Sequence, residues 1–168
     1  MRKVSIKVEE VKEENVSIWD YGKFDKFIEG KLGNKSNEVM GICFVNGNGE
    51  VYGYEELTTG FGDSANLKPK DLVKAMVIYE ATYIILCHNH VNEDNRFSQG
   101  DLEFSGIVFN YLIKKGRVML NHLLYSGKSN KIEKLFEEEV VRELLYSDEP
   151  GNIRDWKLVK GKEVGVNV

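Results

Sequence analysis

The run Thr82-Tyr-Ile-Ile-Leu-Cys87 is apolar without alternation, and His88-Asn-His90 follows it directly. A strand with no polar face must be covered on both sides. That requirement commits the chain to layers, with a sheet in the middle and helices packed on it. The remaining pattern agrees. Residues 3–8 alternate polar and apolar, the period of a half-exposed strand. Tyr21, Phe24, Phe27, Ile28 and Leu32 recur at helical spacing, with Asp20 to cap the start and Gly33-Asn34 to end it. Residues 38–45 predict a strongly apolar strand, Asn46-Gly-Asn-Gly49 a tight turn, and 50–54 the returning strand.

A polar, glycine-rich loop over 58–66 leads to Pro69, which suits a first helical position. Leu72, Ala75, Met76 and Tyr79 mark that helix's face. After a loop over 91–97, a helix starts at Ser98, with Phe104, Ile107, Val108, Tyr111 and Leu112 on one side and Gly116 at its end. Residues 118–125 predict another strand. Ile132, Leu135, Phe136, Val140, Leu144 and Leu145 outline a last helix, and a charged tail follows Pro150. The expected class is α/β.

The 168 residues suit one domain. A formal charge of −4 gives no overall attraction to phosphate backbones. The short basic groups Lys68, Lys70, Lys74 and Lys114, Lys115, Arg117 read as solvated helix surface, so nucleic acid is not the expected partner. Cys43 and Cys87 sit inside apolar runs as small buried hydrophobes. There is no Cys-x-x-Cys pair, which excludes thiolate zinc sites and redox motifs. A secretion signal and any run of ~20 apolar residues are missing from the sequence, so no membrane association and a cytoplasmic location are expected.

Two of the three histidines stand two residues apart at the end of the most buried strand. Residues i and i+2 of a strand point to one side, so both imidazoles can meet one ion. Alone, His-x-His also reads as a polar strand exit. Downstream, Ser98-x-x-Asp101 opens a helix. Its plain reading is an N-cap with an acid in the first turn. Yet Asp101 borders the core-facing side and leans toward the helix start, where its carboxylate can complete a two-histidine, one-carboxylate site. Such a set leaves a fourth position for water, as catalytic zinc requires. A proton must also be shuttled to the leaving amine. Glu38, at the opening of an apolar strand, is the candidate, against the plainer reading of a solvated residue ahead of the strand.

Glu38, His88-Asn89-His90, seven residues and then Ser98-x-x-Asp101 together resemble the JAMM metalloenzyme signature, Glu … His-x-His-x7-Ser-x-x-Asp. The Ile85-Leu-Cys-His-Asn-His90 run, the Lys68–Ala75 helix and Asn121-His122-Leu-Leu124 are most similar to its RadC-like branch. The resemblance covers about residues 36–127, leaving 128–168 as a C-terminal helix and tail. It implies a JAB/MPN-like (cytidine-deaminase-like) α/β sandwich, a mixed sheet flanked by helices. It also implies one zinc ion on His88, His90 and Asp101, with Glu38 as general acid/base and Ser98 stabilising the oxyanion. The implied activity is hydrolysis of a peptide or isopeptide amide, on a peptide or protein substrate.

There are departures from the family's pattern. Val91 stands where proline is common, Val91-Asn-Glu-Asp94 where Pro-Ser-Gly-Asp is usual, and Asn121-His122 where Asp-His is usual. His122 reads as a buried, hydrogen-bonded histidine. The first 35 residues offer one strand and one helix, too little for the helix-hairpin-helix region of RadC proteins. A second reading stays open, a non-catalytic domain acting as a binding or assembly module, and with it the DNA-repair association of the family name. Other metal enzymes fit less well. Asn92 stands where a metallo-β-lactamase-like site wants aspartate, the His-x-Glu and Cys-x-x-Cys of zinc deaminases are missing, and an amidohydrolase barrel needs ~250 residues.

Overall fold

The structure, a computed structural model, describes residues 5–10, 15–58, 67–91, 96–147, 155–157 and 159. At its centre lies β5 (Tyr83–His90), buried from Ile84 to His90. It pairs antiparallel with β3 (Met40–Val45) and parallel with β6 (Val118–Ser126). β4 (Glu50–Thr58) lies beyond β3, and β1 (Ser5–Glu10) and the two-residue β2 (Val16–Ser17) both pair along the outer side of β4. β7 (Lys131–Lys134) closes the far edge against β6. The sheet order is therefore β1-β4-β3-β5-β6-β7. It is the mixed sheet that the sequence predicts.

Among the described residues four helices cover it: α1 (Tyr21–Leu32), α2 (Pro69–Ile78), α3 (Gln99–Lys114) and α4 (Glu138–Tyr146). Paired residues share a face of a sheet, and neighbours along a strand alternate. Phe44 stacks on Tyr79, at the end of α2, with ring centroids 4.0 Å apart. Tyr54, opposite Cys43 and so on the other face, meets Phe27 of α1 edge-on at 6.0 Å. Hence α2 and α3 lie on one face, and α1 and α4 on the other. Ile42, Phe44, Ile84 and Leu86 are fully buried between these layers, each contributing ~1.5–3 kcal/mol by leaving water. Both cysteines are buried and free. Hydrogen bonding to Cys87, together with burial, pushes the Cys43 thiol well up.

Most predicted elements form, and four details differ. The expected last helix does not begin at Ile132. Residues 131–134 alternate exposed and half-buried as β7, and α4 starts only at Glu138. The turn Gly127-Lys-Ser-Asn130, with Asn130 at φ +56°, folds the chain back as a hairpin. In α3 the buried stripe is Ser105, Val108, Phe109 and Leu112, while Ile107 is 60% exposed. The small residues face inward there because Trp156 lies over Gly106, where a Cβ would stand 2.8 Å from its ring. β4 runs on to Thr58 instead of ending at 54. β5 carries through both of its histidines. Most of the two predicted loops (59–66 and 92–95), strand residues 3–4, and most of the tail after Pro150 lie outside the described residues.

One buried acid belongs to no part of the predicted site. Glu55 of β4 is 0% exposed, and neither carboxyl oxygen meets a donor in good hydrogen-bond geometry. Burial pushes its pKa up, and the nearby Tyr79 hydroxyl offsets only part of that. A carboxyl raised in the folded state costs nothing below its ordinary value of 4.5, where both states are protonated. The cost grows as pH rises above that value. Glu55→Gln should therefore raise the thermal midpoint at pH 7 by about 2–4 °C, the shift that roughly 1 kcal/mol brings at this size. Melting curves from pH 3.5 to 8 check it. A gain that persists unchanged at pH 3.5 would show that the charge is not its cause.

Candidate metal centre

β5 delivers His88 and His90 to the face covered by α3. Its alternation puts the two rings on one side, with centroids 4.9 Å apart. Asp101 arrives from the first turn of α3 and is held by a reciprocal cap. The Asp101 backbone N–H donates to Ser98 Oγ at 3.0 Å, and the Ser98 N–H donates to Asp101 Oδ2 at 2.9 Å. The sequence reads correctly as a helix start, and that start aims a carboxylate.

Ligand atoms of three residues converge. His88 Nε2 lies 3.2 Å from His90 Nε2 and 3.4 Å from Asp101 Oδ1. His90 Nε2 lies 3.2 Å from Asp101 Oδ2. Ligands about 2.0–2.1 Å from a tetrahedral zinc ion stand about 3.3 Å apart. The two histidine nitrogens stand at such an edge, each has one of the two Asp101 oxygens at a similar distance, and the donor set, two imidazoles and a carboxylate, suits zinc. His88 and His90 are buried, whereas Asp101 is half-buried at the rim, which leaves an approach from solvent. Burial raises the Asp101 carboxyl, but hydrogen bonding to His88, its charge and the Ser98 cap outweigh burial and hold the group well below the usual carboxylate range. The carboxylate is thus poised in its ligating form.

Ser98 is exposed, and its hydroxyl oxygen is occupied as the cap acceptor. Glu38 is not part of the three-ligand cluster. It lies two residues ahead of β3, and it is exposed. Met40 pairs with His88 as the last β3–β5 pair, so Glu38 lies two residues beyond the end of that pairing, at the end of the sheet where the histidines stand.

Four further residues shape the site: His122 and Asn121, which the sequence marks as a departure from the family's pattern, and Ser105 and Asn89, whose roles it does not show. His88 Nδ1 lies 2.7 Å from His122 Nε2, and His122 Nδ1 lies 2.6 Å from Ser105 Oγ. His122 is the expected buried, hydrogen-bonded histidine, but its partner is a metal-ligand candidate, whose ring it orients. Burial, and then the neighbouring His88, pull its pKa well down, so it stands neutral. Ser105 has a legible signal only in retrospect, one helical turn beyond Asp101 on the same side. Asn89 accepts from the Val39 N–H at 2.8 Å and donates to the Asn37 carbonyl at 3.1 Å. Asn121 does the same for another segment: it accepts from the Phe136 N–H at 2.8 Å and donates to the Phe136 carbonyl at 3.1 Å. An aspartate there could not donate, which accounts for the amide in this chain.

The sequence profile of the RadC-like JAB domain matches residues 20–129. A UPF0758 protein of Fusobacterium nucleatum is 25% identical over 104 residues, covering 62% of this chain and 45% of that protein. A UPF0758 protein of Pseudomonas fluorescens is 28% identical over 98 residues (58% and 44%), and one of Vibrio cholerae is 30% identical over 76 residues (45% and 48%). The matches span about half the length of these relatives. Among the described residues no helix is long and apolar enough to cross a membrane. The profile takes in every residue of the His–His–Asp cluster, and the mixed sheet between helix layers is the architecture that such a domain calls for. The chain belongs to the RadC-like JAB domain family.

Proposed function

We propose that this chain is a zinc-dependent hydrolase of the JAMM type that cleaves a peptide or isopeptide amide. The observation that carries the reading is the 3.2–3.4 Å spacing of ligand atoms on His88, His90 and Asp101. These three would hold the ion. When bound, zinc supplies Lewis acidity and lowers the pKa of a water molecule toward neutrality. Hydrolysis forms a bond from water oxygen to the carbonyl carbon and breaks the C–N bond. The proton that leaves the water must reach the departing amine. Glu38, open to solvent two residues before the strand that pairs with His88, takes that proton and delivers it. Ser98 keeps its hydroxyl hydrogen available while its oxygen accepts from Asp101, so it can donate to the developing oxyanion.

The test uses the whole chain. Elemental analysis should find about one zinc per molecule, and a panel of linear peptides and lysine isopeptides should include one that is cleaved. Chelation should abolish the cleavage, and added zinc should restore it. A fully zinc-loaded protein that cleaves none of them would favour a binding or assembly module instead.

A further inference from the structure

The backbone pairing of β3 with β5 ends at Met40 and His88. Beyond it, a side chain of β5 reaches across to the segment that carries Glu38. Asn89, only 2% exposed, uses both ends of its amide, with Oδ1 accepting from the Val39 N–H and Nδ2 donating to the Asn37 carbonyl. The two bonds straddle Glu38. Asn89 itself stands between the two histidines, with its side chain on the opposite face of the strand. One residue therefore ties the backbone of Glu38 to the backbone of both candidate ligands.

We propose that Asn89 is a positioning residue that sets the place of Glu38 relative to the metal ligands. The proposal rests on the hydrolase reading for its catalytic half. A base in that chemistry has a narrow task. It must reach a water beside the ion without becoming a ligand itself, and a displacement of about 1 Å can cost on the order of 100-fold in rate. Glu38 is exposed and lies outside β3, so regular strand pairing does not hold it. The Asn89 amide supplies the missing register. An apolar residue there would leave the Val39 N–H and the Asn37 carbonyl without these partners, and a carboxylate would keep the first bond and lose the second.

The experiment compares Asn89→Leu and Asn89→Asp with the unaltered chain in three measurements. Amide hydrogen exchange at Val39 should speed up at least tenfold in Asn89→Leu and much less in Asn89→Asp, which retains the acceptor. Zinc affinity, from competition with a chelator, should stay within about threefold for both, because the histidines are untouched. With the best substrate of the panel, kcat should fall on the order of 100-fold in Asn89→Leu with KM unchanged. On a Glu38→Gln background the same change should lower kcat no further, whereas a general loosening of the fold would. Unchanged exchange at Val39, a zinc affinity that falls with kcat, or full additivity with Glu38→Gln would each overturn the proposal. A zinc-loaded parent chain that hydrolyses nothing would end the hydrolase reading and the catalytic half with it, while Val39 exchange judges the clamp by itself. Should Asn89→Leu fail to fold, Asn89→Asp decides the matter through the Asn37 side, with kcat reduced, KM unchanged and zinc retained.

Discussion

Asp101→Asn should purify as a folded protein with less than a tenth of the zinc of the parent chain. The substitution is chosen because the helix start survives it. An asparagine oxygen still accepts from the Ser98 N–H, as Asp101 Oδ2 does at 2.9 Å, so α3 keeps its cap. What changes is charge and donor type at one corner of the tetrahedron. A neutral amide is a poor zinc ligand beside two imidazoles, and it offers an N–H₂ as readily as an oxygen. Affinity should fall on the order of 1,000-fold, since the ion loses the one anionic ligand of its three. Thermal melting gives an independent reading. A ligand at about 100 times its dissociation constant adds about 2.7 kcal/mol of stability. The parent chain should therefore melt higher with zinc, and Asp101→Asn should not, with both melting together in chelator. Zinc bound at full stoichiometry by Asp101→Asn would remove the carboxylate from the ligand set.

Glu38→Gln should do the opposite. Zinc content and melting should stay at parent values, because the residue is exposed and not among the three convergent ligands. Exposed substitutions cost within about 0.5 kcal/mol. Turnover should drop about 100- to 10,000-fold, the range that a positioned general acid/base contributes. Glutamine matches the shape and cannot carry the proton. Equal kcat in zinc-loaded parent and variant would show that another group moves the proton. The pair of variants separates holding the ion from using it.

Much of this was legible before any coordinates. The period of two that puts His88 and His90 on one side, and the Ser98-x-x-Asp101 helix start, are local rules, and local rules survive folding. The unalternated run 82–87 announced a covered central strand for the same reason. What stayed hidden depends on topology. Asn89 and Asn121 are each an ordinary polar residue in sequence; their bonds go to backbone 50 and 15 residues away, across strand order that no short window contains. Ser105 meets His122 only because α3 crosses back over β6. The 131–134 error has a different cause. Four residues, of which only Ile132 is apolar, are too few to separate a period of 2 from 3.6, and Asn130 in a left-handed turn decided the matter. Ile107 faces outward although it is apolar, because the inward side at that level holds the small Ser105 and Gly106, with Trp156 packed over the glycine.

The line from His88 through His122 to Ser105 has a consequence for where hydrogens sit. An imidazole nitrogen that gives its lone pair to a cation carries no hydrogen, so the other nitrogen must. With an ion on His88 Nε2, the ring's Nδ1 donates inward, His122 must receive on Nε2 and donate from Nδ1, and the serine oxygen becomes the terminal acceptor. Without the ion, the same three groups can run in the reverse polarity. A cation bound there would thus select one tautomer for each of two rings, and its presence would be written into the orientation of a hydroxyl in the middle of a helix.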